Sequence, residues 1–261
     1  MITSTNNGRI KYVITLLEKS KFRKKEGKFV AEGLKMFEEA PLPLIDEVFI
    51  SAGAIGNLDK ELRKKLERTS YEIVSDAAFR QLSDTVTPQG ILMVLKRINT
   101  DVKDILEGEN SCVVFLENIQ DPGNLGTIIR TAEGAGASGV IMSADCVDIY
   151  NPKVIRSTMG SVFRVKFVST DNTDETISAL KEKGIKTYAC ALSKEAREYD
   201  KYDYTSSCAF FIGNEGNGLK KETVEKCDDV CFIPMCGKVE SLNASVAASL
   251  VMYEAYRQRR K

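Results

Sequence analysis
Histidine is absent from all 261 residues. That one gap removes Ser-His-Asp and Cys-His nucleophile arrangements, imidazole acid-base catalysis and every histidine-containing zinc site. Any proton transfer must use another agent. Net charge is missing too, because 37 basic and 37 acidic side chains cancel. A whole-molecule field that would draw in nucleic acid or a membrane surface is therefore excluded, and only local patches remain. No stretch approaches the ~18 to 20 uninterrupted apolar residues of a membrane helix; the most apolar one, residues 244–253, contains serine. The opening residues MITSTNN carry no apolar signal core, and the seven cysteines are odd in number, scattered between Cys112 and Cys236. These features predict a reduced, soluble, cytoplasmic protein.

What is present suffices to fold. With 43% hydrophobic residues and about 1.7 times the length of a 150-residue domain, the chain can bury a large core as one domain or two. In the first part the pattern predicts helices over residues 9–19, 33–40, 58–67 and 76–82, and strands over 29–31, 47–50, 71–74 and 90–95, a small α/β module. Residues 96–110, KRINTDVKDILEGEN, are mostly polar and predict a boundary: a first domain over 1–98, a linker over 99–110, a second domain over 111–261. The second domain opens on the apolar run Cys112-Val113-Val114-Phe115-Leu116. It continues through predicted helices at 125–134, 152–159, 174–183, 220–226 and 241–260 and strands at 140–142, 165–168, 187–191, 208–212 and 229–233. Such alternation predicts a mostly parallel sheet covered on both faces. Residues 9–28 hold eight basic side chains, among them Arg23, Lys24 and Lys25, against two acidic ones, with Tyr12 and Phe22 interleaved. This patch reads either as a solvated helix face and turn or as an RNA surface.

Residues 134–139, GAGASG, match GxGxxG, but a helix enters them and a strand leaves. Dinucleotide binding needs the opposite order, so a helix C-cap and turn is predicted instead. Three other loops do leave strand ends: ENIQDPGN at 117–124, GNEGNG at 213–218 and IPMCGKVESLN at 233–243. Ligands bind at the carboxyl edge of parallel sheets, and the three loops could converge there; each taken singly reads as a turn. Cys227, Cys231 and Cys236 crowd together, yet zinc held without histidine needs four thiolates, so they are predicted to be buried structural thiols.

Taken together, residues 117–142, 210–219 and 233–255 resemble, in order and spacing, the three motifs of the SpoU/TrmH family of RNA ribose 2′-O-methyltransferases, in the SPOUT superfamily. The stretch RKKEGKFVAEG at 23–33 resembles the small substrate-binding domain of ribosomal-RNA members. The resemblance implies an α/β fold: a C-terminal SPOUT-type domain with a deep trefoil knot, preceded by a small α/β RNA-binding domain like ribosomal protein L30e. It implies S-adenosylmethionine as cofactor, RNA as partner with no metal and no membrane, and a homodimer with a shared active site. Small residues Ala244, Ala247, Ala248 and Ser249 on the last helix would let a partner pack closely.

By the same resemblance the catalytic positions are Asn124, Arg130, Glu215, Ser241 and Asn243, and backbone at Leu192, Gly213, Ile233 and Leu242 holds the cofactor. Arg23, Lys24, Lys25, Arg156 and Ser157 are the expected RNA contacts. Arg130 is placed at the 2′-hydroxyl and its neighbouring phosphate; a guanidinium is a poor base, which favours positioning over proton removal. The reading is methyl transfer to ribosomal RNA. Transfer RNA as target, a catalytically silent RNA-binding protein, and a nucleotide-dependent oxidoreductase built on GAGASG are the rivals.

Overall fold
The structure is a computed structural model that describes residues 1–83 and 85–260. The chain divides into two compact units. The first comprises Met1–Ile98 together with Asp148–Phe163, and the second Asn99–Val147 with Arg164–Lys261.

In the first unit the order is α1 (Gly8–Glu18), α2 (Ser20–Glu26), β1 (Lys28–Glu32), α3 (Leu34–Glu39), β2 (Ile45–Ser51), α4 (Ala52–Ile55), α5 (Lys60–Glu67), β3 (Tyr71–Val74), α6 (Asp76–Leu82) and β4 (Ile91–Lys96). Helix α1 forms because Ile10, Val13 and Leu16 recur at helical spacing and bury together, while the Asn7 side chain accepts the Arg9 amide. Strand β4 has five successive buried residues and lies between β1 and β2, antiparallel to both. A strand buried on both faces reads as a continuous apolar run, as this one does. The basic segment is two helices, broken where Lys19 turns extended and ended by Gly27 in the left-handed region.

The second unit begins with α7 (Val102–Leu106), β5 (Cys112–Leu116), α8 (Pro122–Gly134) and β6 (Gly139–Ser143). The chain then passes into the first unit for α9 (Pro152–Ser157) and returns for β7 (Phe167–Thr170), α10 (Thr173–Glu182), β8 (Lys186–Cys190), β9 (Arg197–Glu198), β10 (Cys208–Ile212), α11 (Lys221–Lys226), β11 (Asp229–Phe232) and α12 (Ala244–Arg259). Seven strands pair in the order β7-β6-β5-β10-β8-β11-β9, all parallel. Beneath them Phe115 and Phe211 stack at 4.7 Å amid Val113, Ile141, Leu180 and Ala209.

Two boundaries differ from those expected. Residues 99–110 are not only a linker, since Ile105 and Leu106 of α7 are buried in the core of the second unit. The second domain is not continuous over 111–261 either. Tyr150 packs its ring 4.6 Å from Phe29, and its hydroxyl and the backbone of Ile98 exchange bonds of 2.9 and 3.0 Å, which ties residues 148–163 to the first unit.

At GAGASG, α8 runs into the glycines, and Gly136 (φ 68°) takes the left-handed conformation that lets the Ala137 amide reach back to the Ala132 carbonyl at 2.8 Å. This is a helix C-cap.

Candidate active site
Strands β5 and β10 run parallel with Leu116 opposite Ile212, so the segments leaving them start side by side. The first segment ends in Asp121, whose carboxylate accepts the Asn124 amide at 2.7 Å, with Pro122 opening the helix. This cap with proline at N1 starts α8 with Asn124 in its first turn. The second segment folds into a turn closed by Asn214 and Gly218 through bonds of 3.0 and 2.9 Å. A Cβ on Gly213 would lie 2.1 Å from the Gly218 carbonyl carbon, so the turn closes only on glycine. The third segment follows β11 and ends in Asn243, whose carboxamide oxygen accepts the Ser245 amide at 2.9 Å and so caps α12.

These three devices bring three side chains into one hydrogen-bonded chain. Asn124 donates Nδ2 to Glu215 Oε1 at 2.9 Å, and Asn243 donates Nδ2 to Asn124 Oδ1, also at 2.9 Å. Asn124, in the middle, is 8% exposed. Glu215 further accepts the amides of Gln120 and Asp121 at 3.3 Å each. Burial pushes its carboxyl up, but the bonds from Asn124 and these amides outweigh burial, so Glu215 sits below its ordinary value and is an anion at neutral pH.

Beside this chain lies a cleft of about 1030 Å³. Gly213, Ile233, Leu242 and the exposed Leu192 line it, as do Glu215 and Ser241. Asn124, Arg130 and Asn243 are outside its lining. Arg130 is exposed and has no hydrogen bond or ion pair with the described residues. Six residues after Asn124, it lies ~9 Å along α8 and ~120° around the helix axis from it. Within one chain, then, Arg130 is apart from the Glu215, Asn124 and Asn243 group.

The expected RNA contacts divide. Lys24 and Lys25 on α2 are exposed, as is Arg156 on α9, while Ser157 turns its hydroxyl to the Lys153 carbonyl at 2.8 Å. Arg23 corrects the expectation. It is 3% exposed, paired with Asp148 at 2.7 Å, and donates to the Leu16 and Leu17 carbonyls at 2.7 and 2.9 Å. A guanidinium so enclosed cannot reach a phosphate. The cysteine reading also needs correction: Cys231 is buried, Cys227 half-buried and Cys236 exposed. Among the described residues no group of three or more Cys, Asp or Glu side chains is placed to hold a metal ion. Nor is any described helix long and apolar enough to cross a membrane.

Asn214 went unnoticed in the sequence as a structural link. Its Nδ2 donates to the Asn118 carbonyl at 2.8 Å and its Oδ1 accepts the Gly216 amide at 2.9 Å, joining the first two loops. The Gly-Asn-x-Gly pattern was the available signal, since asparagine side chains bond to the backbone two residues on.

Residues 111–253 match the model of the SpoU rRNA Methylase family, and residues 7–93 match that of the MRM3-like substrate binding domain. The chain belongs to the SpoU rRNA methylase family. One SpoU relative, the 23S rRNA (guanosine(2553)-2'-O)-methyltransferase RlmP of Bacillus subtilis (strain 168), is 32% identical over 254 residues, 97% of each chain. The solved AdoMet-bound rRNA methyltransferase from Sinorhizobium meliloti superposes with a TM-score of 0.89 at 29% identity, covering 100% of this chain and 98% of that one. The SpoU methyltransferase AviRb from Streptomyces viridochromogenes in complex with AdoMet gives 0.87 at 27% identity, covering 97% and 98%. Both likenesses extend beyond residues 111–253 to nearly the whole of this chain.

Proposed function
We propose that this protein transfers a methyl group from S-adenosylmethionine to a ribose 2′-hydroxyl of ribosomal RNA, as a cytoplasmic homodimer. The observation that carries the reading is the bonded chain of Glu215, Asn124 and Asn243 beside a strand-end cleft that Glu215 lines. The cleft is at the upper end of the ~300–1,000 Å³ range of small-molecule sites, large enough for a nucleoside with an amino-acid tail. Strand-end backbone at Gly213, Ile233 and Leu242 would hold the cofactor, with Leu192 and Ser241 beside it. Bound there, S-adenosylmethionine supplies an electrophilic methyl carbon.

The work left to the protein is placement. The Glu215 carboxylate, fixed by Asn124 and two amides, ties the first two loops together; Asn243 ties in the third. Arg130, without a partner among the described residues, binds the phosphate next to the target ribose through its planar fork and polarises the 2′-hydroxyl, whose proton leaves to phosphate or water.

A homodimer explains why Arg130 is left out of the group. On α8 it shares a face with Thr127, which lines an exposed groove with Val246, Leu250 and Tyr253 of α12. A second copy seated on that groove covers the apolar strip and completes a site around Arg130. Of the small residues of α12, Ala244 and Ala248 are buried within their own chain, whereas Ser249 lines the groove. The knotted path and the L30e-like character of the first domain, implied by the family resemblance, belong to the same reading. So do the RNA contacts of Lys24, Lys25 and Arg156.

The test is incubation with isotopically labelled S-adenosylmethionine and total RNA from a strain lacking the gene, followed by mapping of labelled nucleotides. Label on a ribose 2′-oxygen of ribosomal RNA is the expected result. Label confined to transfer RNA would move the target, and failure to bind the cofactor would leave a catalytically silent RNA-binding protein.

A further inference from the structure
Glu117 directly follows β5 with 1% exposure, and none of the site residues accounts for a carboxylate buried so deeply. A buried carboxylate is costly unless its oxygens are fully bonded. Here both are. Oε2 accepts the Lys220 amide at 2.7 Å, and Oε1 accepts the hydroxyl of Thr223, itself 4% exposed, at 2.6 Å. The Glu117 amide in turn donates to the Ile212 carbonyl at 2.9 Å. Lys220 stands at the N-cap of α11 and makes no side-chain cap, and Glu117, from the segment after β5, accepts the Lys220 amide and the Thr223 hydroxyl there.

The consequence is positional. The segment between Ile212 and Lys220 carries Glu215, and Glu117 grips both its ends, one through the amide and one through the carboxylate. Glu117 also opens the segment whose Gln120 and Asp121 amides bind Glu215. A single residue, through its amide and its carboxylate, thereby ties the two loops together in addition to the bond between Asn124 and Glu215. We infer that Glu117 is a positioning residue for methyl transfer, acting through Glu215 with Thr223 as its partner. This rests on the methyltransferase reading above.

Thr223→Val removes one of the two bonds without changing side-chain shape, and Thr223→Ser keeps it. Turnover in Thr223→Val is expected to fall about tenfold, the scale of one hydrogen bond to a charged group, and to recover in Thr223→Ser. Calorimetric affinity for S-adenosylhomocysteine is expected to stay within about threefold. In a Glu215→Ala background Thr223→Val is expected to cost nothing further, because the residue acts through the group already removed. Wild-type turnover in Thr223→Val, losses that multiply in the double variant, or affinity lost in step with turnover would each overturn the inference. A readout independent of activity separates it from the function itself. The side-chain amide resonance of Asn124 should shift in Thr223→Val and return in Thr223→Ser; an unmoved resonance refutes the positioning role even if the wild type methylates no RNA.

Discussion
Two replacements of Asn243 separate the two jobs its side chain does. Its oxygen caps α12 by accepting the Ser245 amide at 2.9 Å and the Ser245 hydroxyl at 2.6 Å, while its nitrogen donates to Asn124 at 2.9 Å. Asn243→Ala loses both jobs: about 1 kcal/mol for the cap and about 1 kcal/mol for the bond to Asn124. Asn243→Asp keeps a good cap but cannot donate. Were Asn124 to flip its amide to repair the contact, its oxygen would face the Glu215 carboxylate, so one bond is lost either way. The aspartate variant should then lose about 1 kcal/mol and the alanine variant about 2 kcal/mol, a melting-temperature drop of ~2–4 °C against ~4–8 °C. Methyl transfer should fall about equally in both, by at least tenfold, because both break the link to Asn124 and Glu215. Calorimetry and single-turnover kinetics on the two variants decide the matter. Wild-type turnover in Asn243→Asp would refute the bonded chain as a functional unit, and equal melting temperatures would refute the division of labour.

Arg130→Ala should leave S-adenosylmethionine affinity nearly unchanged while cutting methyl transfer at least about a hundredfold, measured by calorimetry and initial rates. Arg23→Ala should behave as a folding mutation, since it strands Asp148 in a site where the lost partner costs about 3–5 kcal/mol. Lys24→Ala with Lys25→Ala should leave the melting temperature alone, weaken RNA binding and reduce the slope of log affinity against log salt by up to about 2. Glu215 is held below its ordinary value, so its bonds stabilise the site at every pH above the carboxylate range. That contribution should disappear only as pH falls through the lowered value, and comparing acid unfolding of the wild type with Glu215→Gln reads it out as a difference lost at the acid end.

Some of this was legible in the sequence for a local reason. Cys112–Leu116 and Cys208–Ile212 are uninterrupted apolar runs, and their strands coincide with the predicted bounds. Helix α7 was hidden because five residues are too short for a periodic signal, although the Asp101 and Asp104 capping box was in plain view. Arg23 was misjudged because its fate depends on Asp148, 125 positions away, and no local pattern marks a lysine-flanked arginine as buried. The site residues were identified through motif resemblance. Their mutual bonds, between residues 91 and 119 positions apart, follow from strand register, which sequence spacing does not express.

The loop of chain at residues 148–163 has a consequence for anyone cutting or grafting this molecule. Because the chain leaves one unit and re-enters it, three peptide crossings join the two bodies, at 98–99, 147–148 and 163–164. No single scission releases an intact half. A fragment starting at residue 99 would carry Tyr150, Val154, Ile155 and Val162 with their packing partners gone, a sticky insert on an otherwise finished domain. Exchange of substrate specificity between such proteins, in the laboratory or in evolution, therefore requires the moving of two segments together. Modularity in this architecture is a property of space, not of the linear gene.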